Sequence, residues 1–279
     1  MGMGMADFFD QALAFAREMA IYFAFFAALA ITLKREKVWD AVLRTYREAR
    51  TNLGLAVFNK FVTTPLFLVV FIALEQSFRG FGLLTEFWDA SPQAPTLIAA
   101  ILLIDFAAYW RHRLEHSAPV WRFHATHHAD EAIHWLTVHR KHPVGRLLSM
   151  LFDTSLVLLL GLPAWSIVAA LLLRSMWGHF IHADVPWTLG PLGKVMMSPA
   201  AHRLHHIRDE ELMGSNYANT VTVWDKLFGT YVDPAPYVDC ETGIAEGTRG
   251  FLGELIRPWE DRYRQPAKNA DTEAVSAGS

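Results

Sequence analysis

Four long apolar blocks dominate this chain, and they leave few folds open to it. Met19 to Leu33 reads MAIYFAFFAALAITL, with Arg17 and Glu18 before it and Lys34, Arg35, Glu36 and Lys37 after it. A second block runs from about Leu55 to Leu74, interrupted by Asn59, Lys60 and Pro65. A third runs from Ala94 to Trp110 with Asp105 inside it, and a fourth, Leu147 to Leu173, carries Gly161 and Pro163 at its middle. A helix needs about 20 apolar residues to cross the hydrocarbon core, so the first three blocks read as single spans. The fourth is too long for a buried core helix. It reads as a hairpin turning at Gly161-Leu162-Pro163, whose arms enter and leave on the same side. The competing reading is a soluble all-α protein with an unusually apolar core, and uncharged runs beyond about 14 residues count against it.

Charge gives the spans a direction. Lys34 to Arg50 holds six Lys/Arg, whereas Glu75 to Thr96 holds only Arg79. The positive-inside rule therefore places the first of these stretches, read as a loop, in the cytoplasm and the second outside. The third span returns the chain to the cytoplasm, where Arg111, Arg113, Arg122, Arg140, Lys141 and Arg146 follow. The expected fold is an all-α integral membrane protein. It has about four transmembrane helices or hairpin arms and a cytoplasmic helical cap. Residues 1–93 form the N-terminal transmembrane helices, 94–233 a core with a membrane hairpin at 147–178, and 234–279 a C-terminal extension. The tail from about Gln265 to Ser279 is small and polar and is expected to be disordered. Asp7 and Asp10, with no early Lys or Arg, argue against a cleavable signal peptide. No internal repeat is visible.

Composition removes whole classes of function. The 25 Lys+Arg nearly balance 28 Asp+Glu, which argues against a nucleic-acid partner. At 52% hydrophobic and 19% charged residues, the chain as a whole is not disordered. Cys240 is the only cysteine, so neither a disulfide framework nor a thiolate metal site is available.

Histidine is the exception to this bland composition, because all 13 lie between His112 and His206. His112 and His116 are spaced i, i+4 in H-R-L-E-H, one above the other on a helix face. His124, His127 and His128 follow the i, i+3, i+4 pattern in H-A-T-H-H, and His202, His205 and His206 repeat it in H-R-L-H-H. His179 and His182 are spaced i, i+3. Four helix ends can thus point ten ring nitrogens into one space, too many for one ion and suited to two. Neutral imidazole accepts zinc, iron, copper or nickel. His134, His139 and His142 lack the pattern. The first two read as ordinary polar residues, and His142, before Pro143, as a residue just outside the metal ligands.

Two other motifs compete. His112 to His116 formally matches H-x-x-E-H, in which a glutamate serves zinc-dependent hydrolysis, but that reading leaves eight patterned histidines unused. His142-Pro143-Val144-Gly145 is similar to a haem-binding H-P-G-G, with no small haem domain around it. A histidine-rich metal carrier is the non-enzyme alternative. Such a protein gains little from so many ligands fixed on helix ends.

From Asp105 to Tyr231 the chain resembles the fatty acid hydroxylase superfamily, the membrane sterol desaturase and hydroxylase group. The resemblance rests on D-F-A-A-Y-W-R-H-R-L-E-H (Asp105 to His116), W-R-F-H-A-T-H-H (Trp121 to His128) and R-K-H-P (Arg140 to Pro143). It continues through H-F-I-H-A-D (His179 to Asp184), S-P-A-A-H-R-L-H-H (Ser198 to His206), S-N-Y-A-N (Ser215 to Asn219) and W-D-K-L-F-G-T-Y (Trp224 to Tyr231). It implies a non-haem di-iron oxygenase that uses O2 and two electrons on an unactivated C–H bond of a lipid. Desaturation is the alternative outcome from the same ligand set. Zinc can replace iron during overproduction. Carried over by position, the ligands are His112, His116, His124, His127, His128, His182, His202, His205 and His206, with His179 counted as a tenth.

Asn216, Tyr217, Trp224 and Asp225 match recurrent positions of the family. Asp105, two turns before His112, is expected to orient an imidazole or pair with an arginine. His142, Asn216 and Asp225 are the other candidates for a supporting role. Some relatives in the group carry a fused cytochrome b5 domain. None is seen here, so electrons are expected from a separate ferredoxin- or cytochrome b5-type donor.

Overall fold

Helix-forming sequence runs almost unbroken through the first quarter of the chain, and the backbone follows it. The structure is a computed structural model in which residues 5–78 and 82–264 are described; the polar tail from Gln265 to Ser279 lies outside them. Helix α1 covers Met5–Lys34, a 3-10 turn covers Arg35–Lys37, and α2 covers Val38–Phe58. The basic stretch Lys34 to Arg50, expected as a loop, is therefore helical, broken only where Arg35 takes a φ of 47°. It contains no Gly or Pro, and its long charged side chains are good helix formers. A π-turn at Asn59–Thr63 then leads into α3, Thr64–Phe78. Pro65 offers no N–H and its ring presses on the carbonyl four residues back. The helix widens there, and the Thr64 amide bonds to the Asn59 carbonyl.

The chain divides into two compact units, Met1–Arg47 and Glu48–Ser279. In the first, Phe9, Ile21, Phe23, Phe25 and Ile31 are exposed apolar side chains on α1, a surface suited to lipid rather than water. The second unit holds α4 (Thr85–Ala90), α5 (Gln93–Glu115), α6 (Ala118–His128), α7 (Pro143–Leu159) and α8 (Ala164–Ile181). It continues with α9 (Pro199–His205), α10 (Val223–Leu227), α11 (Phe251–Ile256) and α12 (Asp261–Arg264). No strand occurs among the described residues, only isolated bridges pairing Met196 with Val221 and Ile207 with Thr242.

Three stretches are long and apolar enough to cross a membrane: the run Phe8–Phe78, then Gln93–Glu115, then Ala164–Ile181. The expected hairpin is present as α7 and α8. Its turn places Gly161 at φ 74°, and a Cβ there would lie 2.9 Å from the Gly82 backbone, so only glycine fits. The carbonyls of Leu159 and Leu160 at the hairpin tip accept the amides of Leu83 and Leu84 at 3.0 and 3.2 Å, and that of Leu160 also the Trp88 indole N–H at 3.1 Å. Ala100 and Ile104 of α5, Val157 and Leu162 at the hairpin, and Ile167 and Ala170 of α8 form an apolar core.

A buried polar hub joins distant parts of the second unit. Arg140 is fully buried and bonds to Glu48, to Glu254 at 2.6 Å, to Thr248 at 2.8 Å and to the Thr126 carbonyl at 2.7 Å. Asp130, also fully buried, takes Asn52 at 2.8 Å and Thr137 at 2.7 Å. Despite burial, Arg140 nearby holds the Asp130 carboxyl below its ordinary value. The hub ties α2, α6, the 3-10 turn Trp135–His139 and α11 together, and breaking one such buried pair costs about 3–5 kcal/mol.

Candidate metal centre

Each histidine group sits where a helix ends, and the ending sets where its rings point. His112 lies in the last turn of α5, and His116 caps that helix with its amide on the His112 carbonyl at 3.2 Å. Pro119 opens α6, whose last turn carries His124, His127 and His128. His182 caps α8. At α9, the buried Ser198 hydroxyl accepts the Ala201 amide at 3.1 Å and Pro199 opens the helix, so His202, His205 and His206 leave from one short, well-capped helix.

Nine of the ten patterned histidines converge into two groups: His112, His116, His124, His128 and His205, and separately His127, His182, His202 and His206. Within each group, one nitrogen from every ring lies within 4.8 Å of the others. The two consecutive pairs explain the division. Neighbouring residues on a helix point about 100° apart, so His127-His128 and His205-His206 each give one ring to each group. The rings of His128 and His206 stack at 4.4 Å across the boundary, so the groups are adjacent.

The chemistry of the donors favours a metal. His112 Nδ1 lies 2.7 Å from the Tyr217 carbonyl, and His205 Nδ1 lies 2.7 Å from the Ser215 carbonyl. A carbonyl only accepts, so each Nδ1 carries the proton and each Nε2 is left as a bare lone pair. Those two bare nitrogens face each other at 3.0 Å. His182 repeats the pattern, with Nδ1 on the Gly178 carbonyl at 2.6 Å and Nε2 facing His202 Nε2 at 2.9 Å. In the His112–His205 pair, two lone pairs this close repel unless a cation sits between them. Two ligands at right angles, each about 2.1 Å from an ion, lie about 3.0 Å apart, and the observed spacings fit that arrangement. His116 Nε2 and both ring nitrogens of His206 are buried with no hydrogen-bond partner. Zinc or iron suits such an all-imidazole set.

Protons compete poorly for these nitrogens. Burial, then repulsion from neighbouring rings, holds His124, His127, His128, His202 and His206 well below the ordinary histidine value. Burial brings His205 down to about 4 and His182 to about 3. The rings are neutral at pH 7, as metal ligands must be.

The supporting residues act mainly on one loop. Asp225 accepts the amides of Tyr217 at 2.7 Å and Ala218 at 3.0 Å, and the Tyr217 carbonyl in turn holds His112. Asn216, at φ 52°, clasps the Val232 backbone through both ends of its amide at 3.0 Å. Asp105 receives the amides of Thr220 at 2.9 Å and Val221 at 3.1 Å and attracts the expected arginine, Arg174, electrostatically; no imidazole among the described residues bonds to it. It steadies the same loop. His142 caps α7, accepting the Val144 amide at 3.2 Å and reaching the Leu255 carbonyl at 3.2 Å.

His179 is not brought into either group. Its Nδ1 meets the Ser175 carbonyl at 2.8 Å and its Nε2 meets His139 Nε2 at 3.1 Å. His134 points Nδ1 at the Ala132 carbonyl at 3.0 Å. Glu115 is a supporting residue that sequence reasoning did not assign. Its carboxylate lies 3.4 Å from His124 Nδ1 and 2.5 Å from Arg111, which also bonds Asp153 at 2.7 Å. Its position inside H-R-L-E-H was the available signal. Lys141, which the sequence marks only as a basic residue, also lies here; burial and then neighbouring guanidiniums pull its ammonium down to about 7.

Among the described residues, helices long and apolar enough for a bilayer end in two groups of imidazoles able to hold metal, the features of an all-helical membrane protein with a histidine cluster. Residues 97–230 match the family described as fatty acid hydroxylase. The chain is 28% identical over 184 residues to the ornithine lipid hydroxylase OlsE of Rhizobium tropici, covering 65% of this chain and 56% of that one. It is 33% identical over 188 residues to human alkylglycerol monooxygenase, covering 66% of this chain and 40% of that one. It is 26% identical over 195 residues to the Delta(7)-sterol 5(6)-desaturase of Eremothecium gossypii, covering 67% and 51%. The chain spans about half the length of the curated relatives it matches. No solved structure matches it. Over residues 97–230 the chain is thus similar to the fatty acid hydroxylase family, in company with lipid hydroxylases, an alkylglycerol monooxygenase and a sterol desaturase.

Proposed function

We propose that this chain is a membrane-bound lipid hydroxylase with two iron ions, one in each histidine group. The carrying observation is the division of nine imidazoles into five and four, with the bare Nε2 atoms of His112 and His205 facing each other at 3.0 Å and those of His182 and His202 meeting at 2.9 Å. Bound there, a pair of iron ions would supply the O2 activation needed to remove hydrogen from an unactivated C–H bond. The chain's own residues hold and orient. The carbonyls of Tyr217, Ser215 and Gly178 fix three rings in the tautomer that leaves Nε2 free. Burial of the rings keeps bulk water away from the oxidising site. The spanning helices α5 and α8 lead from the bilayer to it, so a lipid need not cross water.

Hydroxylation inserts one oxygen atom of O2 and releases the other as one water, consuming two electrons and two protons. The electrons come from a separate ferredoxin- or cytochrome b5-type protein. The site faces the cytoplasm, supported by the basic residues from Lys34 to Arg50 and from Arg111 to Arg146. A second reading, desaturation, is favoured by the similarity to a sterol desaturase. It removes two hydrogens and releases two waters.

Two measurements test the proposal. Metal analysis of protein made with iron should give about two ions per chain. Lipid mass spectrometry of membranes with and without the protein should show species heavier by one oxygen. Loss of two hydrogens would favour desaturation, and readily exchanged metal with no O2 consumption would favour a carrier.

A further inference from the structure

A small cavity of about 40 Å³ touches both histidine groups, with His112 and His124 from one and His127, His182 and His202 from the other. Its charged walls are Arg111, Glu115, Lys141 and Arg174. Arg111 is matched by Glu115 at 2.5 Å and by Asp153 at 2.7 Å. Arg174 shares that same Asp153 at 3.2 Å, and its Nε is buried without a hydrogen-bond partner. Lys141 has no carboxylate within ion-pair distance, and neither has Arg146, which feels Asp153 and Lys141 electrostatically. Arg111, Lys141, Arg146 and Arg174 thus meet three carboxylates, Glu115, Asp153 and the Asp105 that attracts Arg174, beside a site whose nine neutral imidazoles add no negative charge. Metal dications would raise the positive excess further. Shielded charge is costly unless paired, so this end of the cavity lacks an anion.

Position sharpens the argument. Arg174 lies within the spanning helix α8, two turns before His182. Ionisable residues at such places face cavities and mark the paths of substrates. The small apolar side chains of Ala108, Val138 and Ala218 line the remaining wall.

We propose that the cavity binds the anionic head of an amphiphile, a carboxylate or a phosphate, at Lys141 and Arg174, so that oxidation falls within the first few carbons of that head. The oxidation rests on the hydroxylase reading, whereas the anion site does not. An anion held there leaves its nearest carbons, and not a distant methylene, against the histidines.

The test uses the full-length, metal-loaded protein in nanodiscs of uncharged phosphatidylcholine, without turnover. Binding of dodecanoate, dodecyl phosphate and dodecanol is followed by tryptophan fluorescence, with each concentration corrected for partitioning into the bilayer. The wild type should bind both anionic probes about tenfold or more tighter than dodecanol. The Lys141→Met variant should lose most of that preference with its metal content unchanged, and Lys141→Arg should keep it. Equal binding of the three probes by the wild type overturns the proposal, and so does a preference that survives Lys141→Met. Inorganic phosphate displacing the anionic probes no worse than dodecyl phosphate does would mean a site for a free anion only, and also overturns it. Failure of the hydroxylase reading shows instead as missing O2 uptake or missing metal, whichever way the probes bind.

Discussion

The two histidine groups are built from the same residue type on the same helices, yet they are held differently. In the group of five, His112 and His205 are locked by the carbonyls of Tyr217 and Ser215, and His124 is faced by Glu115. In the group of four, only His182 is locked, by Gly178, while Nδ1 of His202 and His206 is buried with no hydrogen-bond partner, as is that of His128 in the group of five. A ring whose outer nitrogen is bonded has its tautomer and orientation set before metal arrives. The first group is therefore the more preorganised, with three of its five rings held from outside against one of four in the second. The difference teaches that ligand count alone does not rank two metal sites.

The largest effect that tests this comparison comes from removing a ligand. His112→Ala should empty the group of five and His202→Ala the group of four. Each should lower bound metal from about two ions to about one and reduce turnover by about a thousandfold. Metal analysis and O2 uptake read both. Loss of both ions from His202→Ala would show one coupled cluster instead of two separable sites.

How much of this was legible in the sequence follows from particular residues. The apolar blocks announced helices α5 and α8 and the hairpin, because length and hydropathy are one-dimensional properties. The helical spacings announced the convergence of nine rings, because i, i+3 and i+4 fix a shared face. The division at His127-His128 was available in principle from the 100° step. What supports the rings was not legible. The carbonyl that meets His112 belongs to Tyr217, 105 residues further on, and no local pattern links them. Likewise the His139–His179 contact depends on how the turn Trp135–His139 packs on α8. The helical character of Lys34 to Arg50 was missed for the opposite reason. Charge was weighed there and local helix propensity was not.

The next effect concerns Glu115. Glu115→Gln keeps the shape but removes the carboxylate beside His124 and leaves Arg111 with Asp153 alone. Affinity in the group of five should fall about 10–100-fold, with the group of four unchanged. Chelator titration should then release the two ions in reversed order, since the group of four is expected to release first in the wild type. An unchanged order would show that Glu115 serves Arg111 and not the metal site.

Acid should act on the metal-free protein through the same rings. The folded values of His205 and His182, about 4 and about 3, lie below the ordinary 6.5 of an unfolded chain. Between these limits the unfolded state binds more protons, so stability is fully present above about 6.5 and is lost progressively as pH falls toward about 4. Thermal unfolding followed at a series of pH values should show this decline. Metal-loaded protein should hold its stability to lower pH, because the ions occupy the nitrogens that protons need.

The smallest effect is expected at Asp105, and it bears on the loop that preorganises the group of five. Two carboxylates shape that loop: Asp225 holds the amides of Tyr217 and Ala218, and Asp105 those of Thr220 and Val221. In Asp105→Asn, one carbonyl oxygen still accepts an amide, but the new NH2 faces the other N–H and leaves it unsatisfied. That should cost about 1–3 kcal/mol, lowering Tm by several degrees. Because Asp225 still anchors Tyr217, His112 should keep its partner and metal stoichiometry should stay at two. Selective loss of the ion from the group of five would show that Asp105, through the loop, decides the difference between the two groups.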